Sequence, residues 1–150
     1  MQSFADGLRA EHRYGGPDSG LGRGSSYSRR IEDNLLVAIH PVARVHPVTG
    51  TRALFVNPGF TSHIVDTSPR ESRAIPDLLY AEITQPAYTV RFRWAPGSVA
   101  VWDNRATCHI APTDIPTGVH RSMQRITLAG DVPVGPDGST SYALSGPAFN

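Results

Sequence analysis

The chain contains no lysine; all 14 of its basic residues are arginine. Without lysine, these 150 residues hold no Walker-type phosphate loop, no Schiff-base anchor for pyridoxal phosphate and no lysine nucleophile. Cysteine is almost as scarce. Cys108 stands alone, which excludes an internal disulfide and a multi-cysteine zinc site and suits a reducing, cytoplasmic setting. No apolar run approaches the roughly 18 residues of a membrane-spanning helix. The start, Met1 to Gly7, lacks the basic and apolar regions of a signal peptide. A net charge of +1 without a basic cluster gives nucleic acid no electrostatic footprint. No Gly-x-Ser-x-Gly elbow is present, so a serine hydrolase of that type is excluded. The length fits one domain, or a piece of a larger one.

What is present reads mainly as strands. Residues 1–14 are expected to form a short helix with Phe4, Leu8 and His12 on one side, ended by Gly15-Gly16-Pro17. Residues 15–30 are rich in glycine and serine and are expected to be a flexible loop. Their Gly20-x-Gly22-x-Gly24 is not a dinucleotide fingerprint: Ser25 occupies the third glycine's place and no strand precedes it. Leu35 to Val45 suits a strand pair broken near Pro41. His46 to Thr51 is a turn, and Ala53 to Val56 leaves it as a strand. Ser68-Pro69-Arg70-Glu71 is a helix start, with serine at the cap, proline first and glutamate third. That helix should run to Ile83 and bury Ile75, Leu78, Leu79 and Ile83, with Pro76 as a kink or a break. Tyr88 to Trp94 alternates polar and apolar residues without error, Val99 to Trp102 is apolar on both faces, and Met123 to Ala129 reads as a further strand. The fold class expected is mainly β with helical insertions, a sandwich or barrel.

Six histidines are candidates for chemistry, and any one of them is more often structural than functional. His109 stands out because it follows a buried strand, sits near a polar turn and precedes two arginines. Its neighbour Cys108 is no thiolate partner if the segment is extended, since adjacent strand residues point to opposite faces. Arg121 and Arg125 lie four residues apart and project to one side in helix or strand. The pair fits either a solvated basic face or an anchor for carboxylates and sulfonates, and the apolar Ile126 and Leu128 beside Arg125 favour the anchor.

At these residues the chain resembles the TauD/TfdA taurine dioxygenase family of Fe(II)- and 2-oxoglutarate-dependent enzymes. The resemblance is carried in order by HPVTGTRALFVNPGFTSHIVD at 46–66, VRFRWAPGSVAVWDNRATCHIAPTD at 90–114 and RSMQRITLAGD at 121–131. It implies a double-stranded β-helix, or jelly roll. It implies an iron site of two histidines and one carboxylate that leaves positions for 2-oxoglutarate and oxygen. His109 is then the distal iron ligand. Arg121 and Arg125 bind 2-oxoglutarate, with Arg121 on its far carboxylate. Arg125 also faces the substrate sulfonate, and Phe60 lines the substrate pocket.

The chain departs from the family pattern in three places. The interval from His109 to Arg121 is one residue longer, with Gly118 there to absorb it. The threonine that shares the 2-oxoglutarate carboxylate has no counterpart. Above all, no histidine here is followed two residues later by Asp or Glu, so the family's His-x-Asp/Glu metal pair is missing from these 150 residues. The expectation is that residues 1–150 are the C-terminal portion of one dioxygenase domain, inactive alone. The substrate is expected to be a small, taurine-like anion, with neither nucleic acid nor membrane as partner. Open alternatives are a complementing half that needs an N-terminal partner, a homo-oligomer, and a non-catalytic module that keeps the anion pocket. Half a jelly roll also leaves strand edges open, so instability or partner dependence is expected.

Overall fold

The first described turn of the chain closes at Gly7. A one-and-a-half-turn helix, α1 (Gln2–Asp6), ends there, and the Leu8 amide closes back on the Ala5 carbonyl at 3.2 Å. The chain then runs straight into strand β1 (Arg9–Tyr14), so the single helix expected over 1–14 is replaced by a helix and a strand. Tertiary pairing overrides the local pattern, because β1 is flanked by ladders on both sides. The computed structural model describes residues 2–14, 35–111, 116–118, 120 and 122–146. The loop expected over 15–30 lies outside them.

The described strands form two antiparallel sheets. One has the order β5 (Thr61–Ile64), β1, β2 (Leu36–Pro41), β6 (Tyr142–Ser145). β1 and β2 pair in unbroken register from Arg9 opposite Pro41 to Tyr14 opposite Leu36, and the outer pairings each carry a register shift. The second sheet is the hairpin of β3 (Ala43–Val45) and β4 (Arg52–Leu54). The strand pair expected to break near Pro41 is therefore present as β2 and β3, separated only by Val42.

The helix announced by Ser68 runs as α2 from Glu71 to Ile83. Its capping box is formed: the Glu71 carboxylate accepts the Ser68 amide at 2.9 Å, and the Ser68 hydroxyl accepts the Glu71 amide at 3.3 Å. Pro76 neither ends the helix nor splits it, and is itself buried. Leu79 is 1% exposed, and Ile75 and Ile83 pack partly buried against the core. Leu78 was expected on the same stripe but is 47% exposed, so the buried face is narrower than the apolar pattern suggests. The core joins Leu79 to Ile64, Val42, Ala43, Val56, Ala10 and Ala5, so α2 closes over the junction between the two sheets. Full burial of a side chain such as Leu79 or Ile64 is worth about 1.5–3 kcal/mol each.

Past α2 the expectations fail in an informative way. A short 3-10 turn covers Pro86–Tyr88, and the described residues from 89 to 131 carry no ladder. Three expected strands, Tyr88–Trp94, Val99–Trp102 and Met123–Ala129, are thus absent as strands, and Val99–Trp102 is exposed or nearly so instead of buried. Alternation shows that a segment suits a pleated, half-buried surface, but a ladder also needs a neighbour to bond. No described strand is laddered to these segments. The architecture is mostly β-sheet with few helices, and no described helix is long and apolar enough to cross a membrane.

Candidate functional site

Trp102 to Thr107 folds into a tight turn around Asp103. The Asp103 carbonyl accepts the amides of Ala106 and Thr107 at 3.2 and 3.0 Å. Its carboxylate accepts the Arg105 amide at 2.8 Å and the Arg105 guanidinium at 2.7 and 2.9 Å. Aspartate suits such a turn because its side chain can bond backbone two residues on. The turn also presents His109, whose ring centroid lies 4.8 Å from that of Trp102.

This turn is fastened to the second sheet by charge. His46, at the end of β3, is 7% exposed. Its Nδ1 accepts the amides of Val48 and Thr49, both at 3.2 Å, so the ring proton sits on Nε2 and is donated to Asp103 at 3.0 Å. Arg105 reaches Asp131 at 3.6 Å, and Asp131 accepts from the buried Arg44 of β3 at 2.6 Å. The chain of contacts is therefore His46, Asp103, Arg105, Asp131, Arg44. Hydrogen bonds from Arg105 and then from His46 hold the Asp103 carboxyl well below the usual carboxylate range. Asp103 in turn pushes the Arg105 guanidinium upward.

A second cluster lies inside the four-stranded sheet. His12 and His40 meet edge to face at 4.7 Å, and both pack against the Phe55 ring. The Thr61 hydroxyl lies 3.1 Å from His12 Nε2, and the Ser141 hydroxyl 2.8 Å from His40 Nδ1. Burial first, and then the neighbouring His40, lowers the His12 pKa to about 3. Burial and then Arg44 lower that of His40 to about 4. Both rings are neutral at ordinary pH and fill the core as polar wedges.

The residues singled out in the sequence are placed unevenly. His109 is exposed on the turn just described. Phe60 is exposed at the turn into β5, with its ring 5.5 Å from that of Tyr14. Arg125 is exposed on the extended run beside an equally exposed Ile126 and Leu128, so the inward orientation inferred from its apolar neighbours is not what the structure shows. Arg121 lies outside the described residues. No described hydrogen bond, ion pair or ring contact joins His109, Phe60 and Arg125 to one another. No group of three or more His, Cys, Asp or Glu among the described residues could hold a metal ion. His109 alone does not make an iron site, and the described residues do not fit the metal.

Sequence reasoning passed over His46 as part of a turn, and gave Arg44, Asp103 and Asp131 no role. The available signal was Asp103-x-Arg105 together with Gly130-Asp131: acids and a base in otherwise apolar surroundings need partners. Which partners they take depends on the hairpin, which pattern alone does not place.

The described residues thus form an antiparallel β architecture that carries a Trp-Asp-Asn-Arg turn, with an exposed histidine six residues after Asp103. The family model described as taurine catabolism dioxygenase TauD, TfdA family, matches residues 1–127, and the chain belongs to that family. It is 47% identical over 102 residues to an alpha-ketoglutarate-dependent sulfate ester dioxygenase of Pseudomonas putida, covering 68% of this chain and 33% of that protein. It is 35% identical over 149 residues to an alkylsulfatase of Acinetobacter baylyi, covering 92% of this chain and 45% of that protein. Among solved structures, a taurine dioxygenase from Burkholderia xenovorans matches with a TM-score of 0.80 and 48% identity, over 97% of this chain and 46% of that one. The chain thus spans less than half the length of each of these relatives.

Proposed function

We propose that this chain contributes one part of an Fe(II)- and 2-oxoglutarate-dependent dioxygenase centre acting on small sulfonates or sulfate esters. The observation that carries the proposal is the family match over residues 1–127, which takes in the Trp102 to His109 turn. The relatives, a sulfate ester dioxygenase and a taurine dioxygenase, supply the substrate class. In this reading the strands and the extended run of 89–131 belong to a jelly roll. His109 supplies one iron ligand, Arg121 and Arg125 hold the 2-oxoglutarate carboxylate and the substrate anion, and Phe60 borders the substrate. Bound iron and 2-oxoglutarate would supply the oxidising chemistry, while the protein orients the substrate and excludes water. The second histidine and the carboxylate must come from residues outside these 150. Arginine at both anion positions suits planar, bidentate recognition of carboxylate and sulfonate oxygens.

The test uses the purified chain with Fe(II), 2-oxoglutarate and taurine or an alkyl sulfate. Neither stoichiometric iron binding nor 2-oxoglutarate-dependent succinate formation is expected. Either result would overturn the claim that the centre is incomplete in this chain. Calorimetry in metal-free buffer separates the anion anchors from iron chemistry: Arg125→Ala should abolish whatever 2-oxoglutarate or sulfonate binding the chain has, and an unchanged affinity would sink the anchor assignment.

A further inference from the structure

His46 is engaged through its backbone and through both ring nitrogens. Its amide donates to the Thr51 carbonyl at 2.8 Å, and its carbonyl accepts the Gly50 amide at 2.9 Å, so both backbone groups close the turn between β3 and β4. That turn passes through the left-handed region at Gly50, with φ at 69°, where a residue without Cβ sits without strain. The ring is fixed by the same turn, since Nδ1 accepts the amides of Val48 and Thr49, both at 3.2 Å. A ring nitrogen that accepts two N–H groups carries no proton of its own, so the neutral imidazole keeps its proton on Nε2. Nε2 lies 3.0 Å from Asp103 Oδ2. Asp103 is the hub of the 102–107 turn: its carbonyl accepts the Thr107 hydroxyl at 2.7 Å besides the two amides, and its carboxylate accepts the Arg105 amide at 2.8 Å. Two turns far apart in sequence therefore meet through one imidazole. The other tie of the second turn, Arg105 to Asp131, spans 3.6 Å between side chains that are each about a third exposed, and such a pair holds geometry weakly. His46 is buried, so its bond is the one that fixes position.

We infer that His46 is a positioning residue: the 46–51 turn selects its tautomer, and the tautomer sets where the 102–107 turn sits on the second sheet. The direction runs from the first turn to the second. Nδ1 is bonded to residues two and three positions on, so the ring's orientation and its proton do not depend on Asp103. The opposite tautomer would point a proton on Nδ1 at two N–H groups and a lone pair on Nε2 at a carboxylate, and both contacts would turn repulsive together. Neither amide side chain does both tasks. Asparagine has an oxygen at the place of Nδ1 but stops short of Nε2, whereas glutamine brings an N–H to the place of Nε2 and leaves that of Nδ1 empty. The inference rests on the functional reading above only for its consequence, which is that the turn so positioned is the one presenting His109.

The experiment is NMR on the 15N-labelled 150-residue chain in mildly alkaline buffer, with neither metal nor 2-oxoglutarate. The His46 ring of the unchanged chain should show a bare Nδ1 and a protonated Nε2. Asp103→Ala should leave that pattern as it is, because the first turn alone holds it. A ring averaged between tautomers, or one that reverses in Asp103→Ala, overturns the inference. Solvent exchange of single amides then separates the two tasks of the ring. His46→Asn should keep Val48 and Thr49 protected while Arg105, Ala106 and Thr107 exchange at least about tenfold faster. His46→Gln should do the opposite, and the amides of β1 and β2 report whether each variant is folded. Equal loss at both turns in both variants would make His46 a general packing residue and overturn the inference, as would unchanged exchange at 105–107 in His46→Asn. If either variant fails to fold, the ring nitrogens of the unchanged chain and of Asp103→Ala decide the matter. None of these readouts involves turnover, so a chain with no part in oxygenase chemistry can still show the coupling. A missing coupling would leave the functional reading standing.

Discussion

The strands between residues 36 and 64 and the described residues between 89 and 131 are both rich in β-branched and aromatic residues, yet only the first are built into ladders. The earlier region folds around β1, which offers an edge to β2 on one side and to β5 on the other. The later region has the same alternation and no edge to meet among the described residues. It is fixed instead by a hydrogen bond from His46 to Asp103 and an ion pair from Arg44 to Asp131. The contrast separates two properties that usually travel together. Apolar burial supplies most of the stabilisation in the first region, whereas charge supplies position without burial in the second.

The largest effect that sharpens this contrast is expected in the first region. Leu79 is 1% exposed where α2 meets both sheets, and Leu79→Ala should cost about 2–5 kcal/mol in urea denaturation. A loss below about 1 kcal/mol would mean that α2 is not seated on the sheets in solution, and the two regions would then differ much less than they do here.

Acid should come next. His12 and His40 have folded pKa values lowered to about 3 and about 4, from an ordinary value near 6.5. The unfolded chain therefore binds more protons than the folded one below pH 6.5, and stability rises with pH in that window. Their contribution is complete above about pH 6.5 and is lost as pH falls towards 4 and 3, by up to about 1.4 kcal/mol per pH unit for each ring. Groups facing the pair include Arg44 from β3, the Phe55 backbone at His12, and the hydroxyls of Thr61 and Ser141; Glu11 lies next to His12 in β1, but its carboxylate accepts from Arg13 and Ser62. Urea midpoints measured from pH 7 to pH 5 should fall steeply for the unchanged chain and much less for His12→Gln/His40→Gln. Parallel curves would show that the pair does not govern acid unfolding.

How much of this was legible in the residues differs with the kind of interaction. Ser68 and Glu71 announced a helix start three residues apart, and the capping box formed because its partners are local. The break at Pro41 was legible for the same reason. Arg9–Tyr14 was misread because β1 is made by its neighbours on either side, and no local pattern carries that information. His12 and His40 are 28 residues apart in sequence and come together only through the diagonal of the β1–β2 register, in which His12 faces Ala38 and Ala10 faces His40. Family membership was legible at Trp102 to His109, whereas the partner of Asp103 was not, since His46 reaches it across 57 residues of separation.

The smallest effect is the one that tests the second region most directly. Val101 is 93% exposed, so Val101→Thr removes almost no buried apolar surface and keeps the β-branched shape. Urea denaturation of this chain alone should move by less than about 0.5 kcal/mol, as for a surface site. The same substitution made where the run is paired would place a hydroxyl in an apolar setting, at a cost of about 1–3 kcal/mol unless it finds a partner. A near-zero effect in the isolated chain therefore says that the run is held by its polar contacts to His46 and Arg44 and not by packing. A loss above about 1 kcal/mol in the isolated chain would mean that Val101 is already covered in solution, by this chain or by another copy of it, and the distinction between a packed region and a clamped one would fall with it.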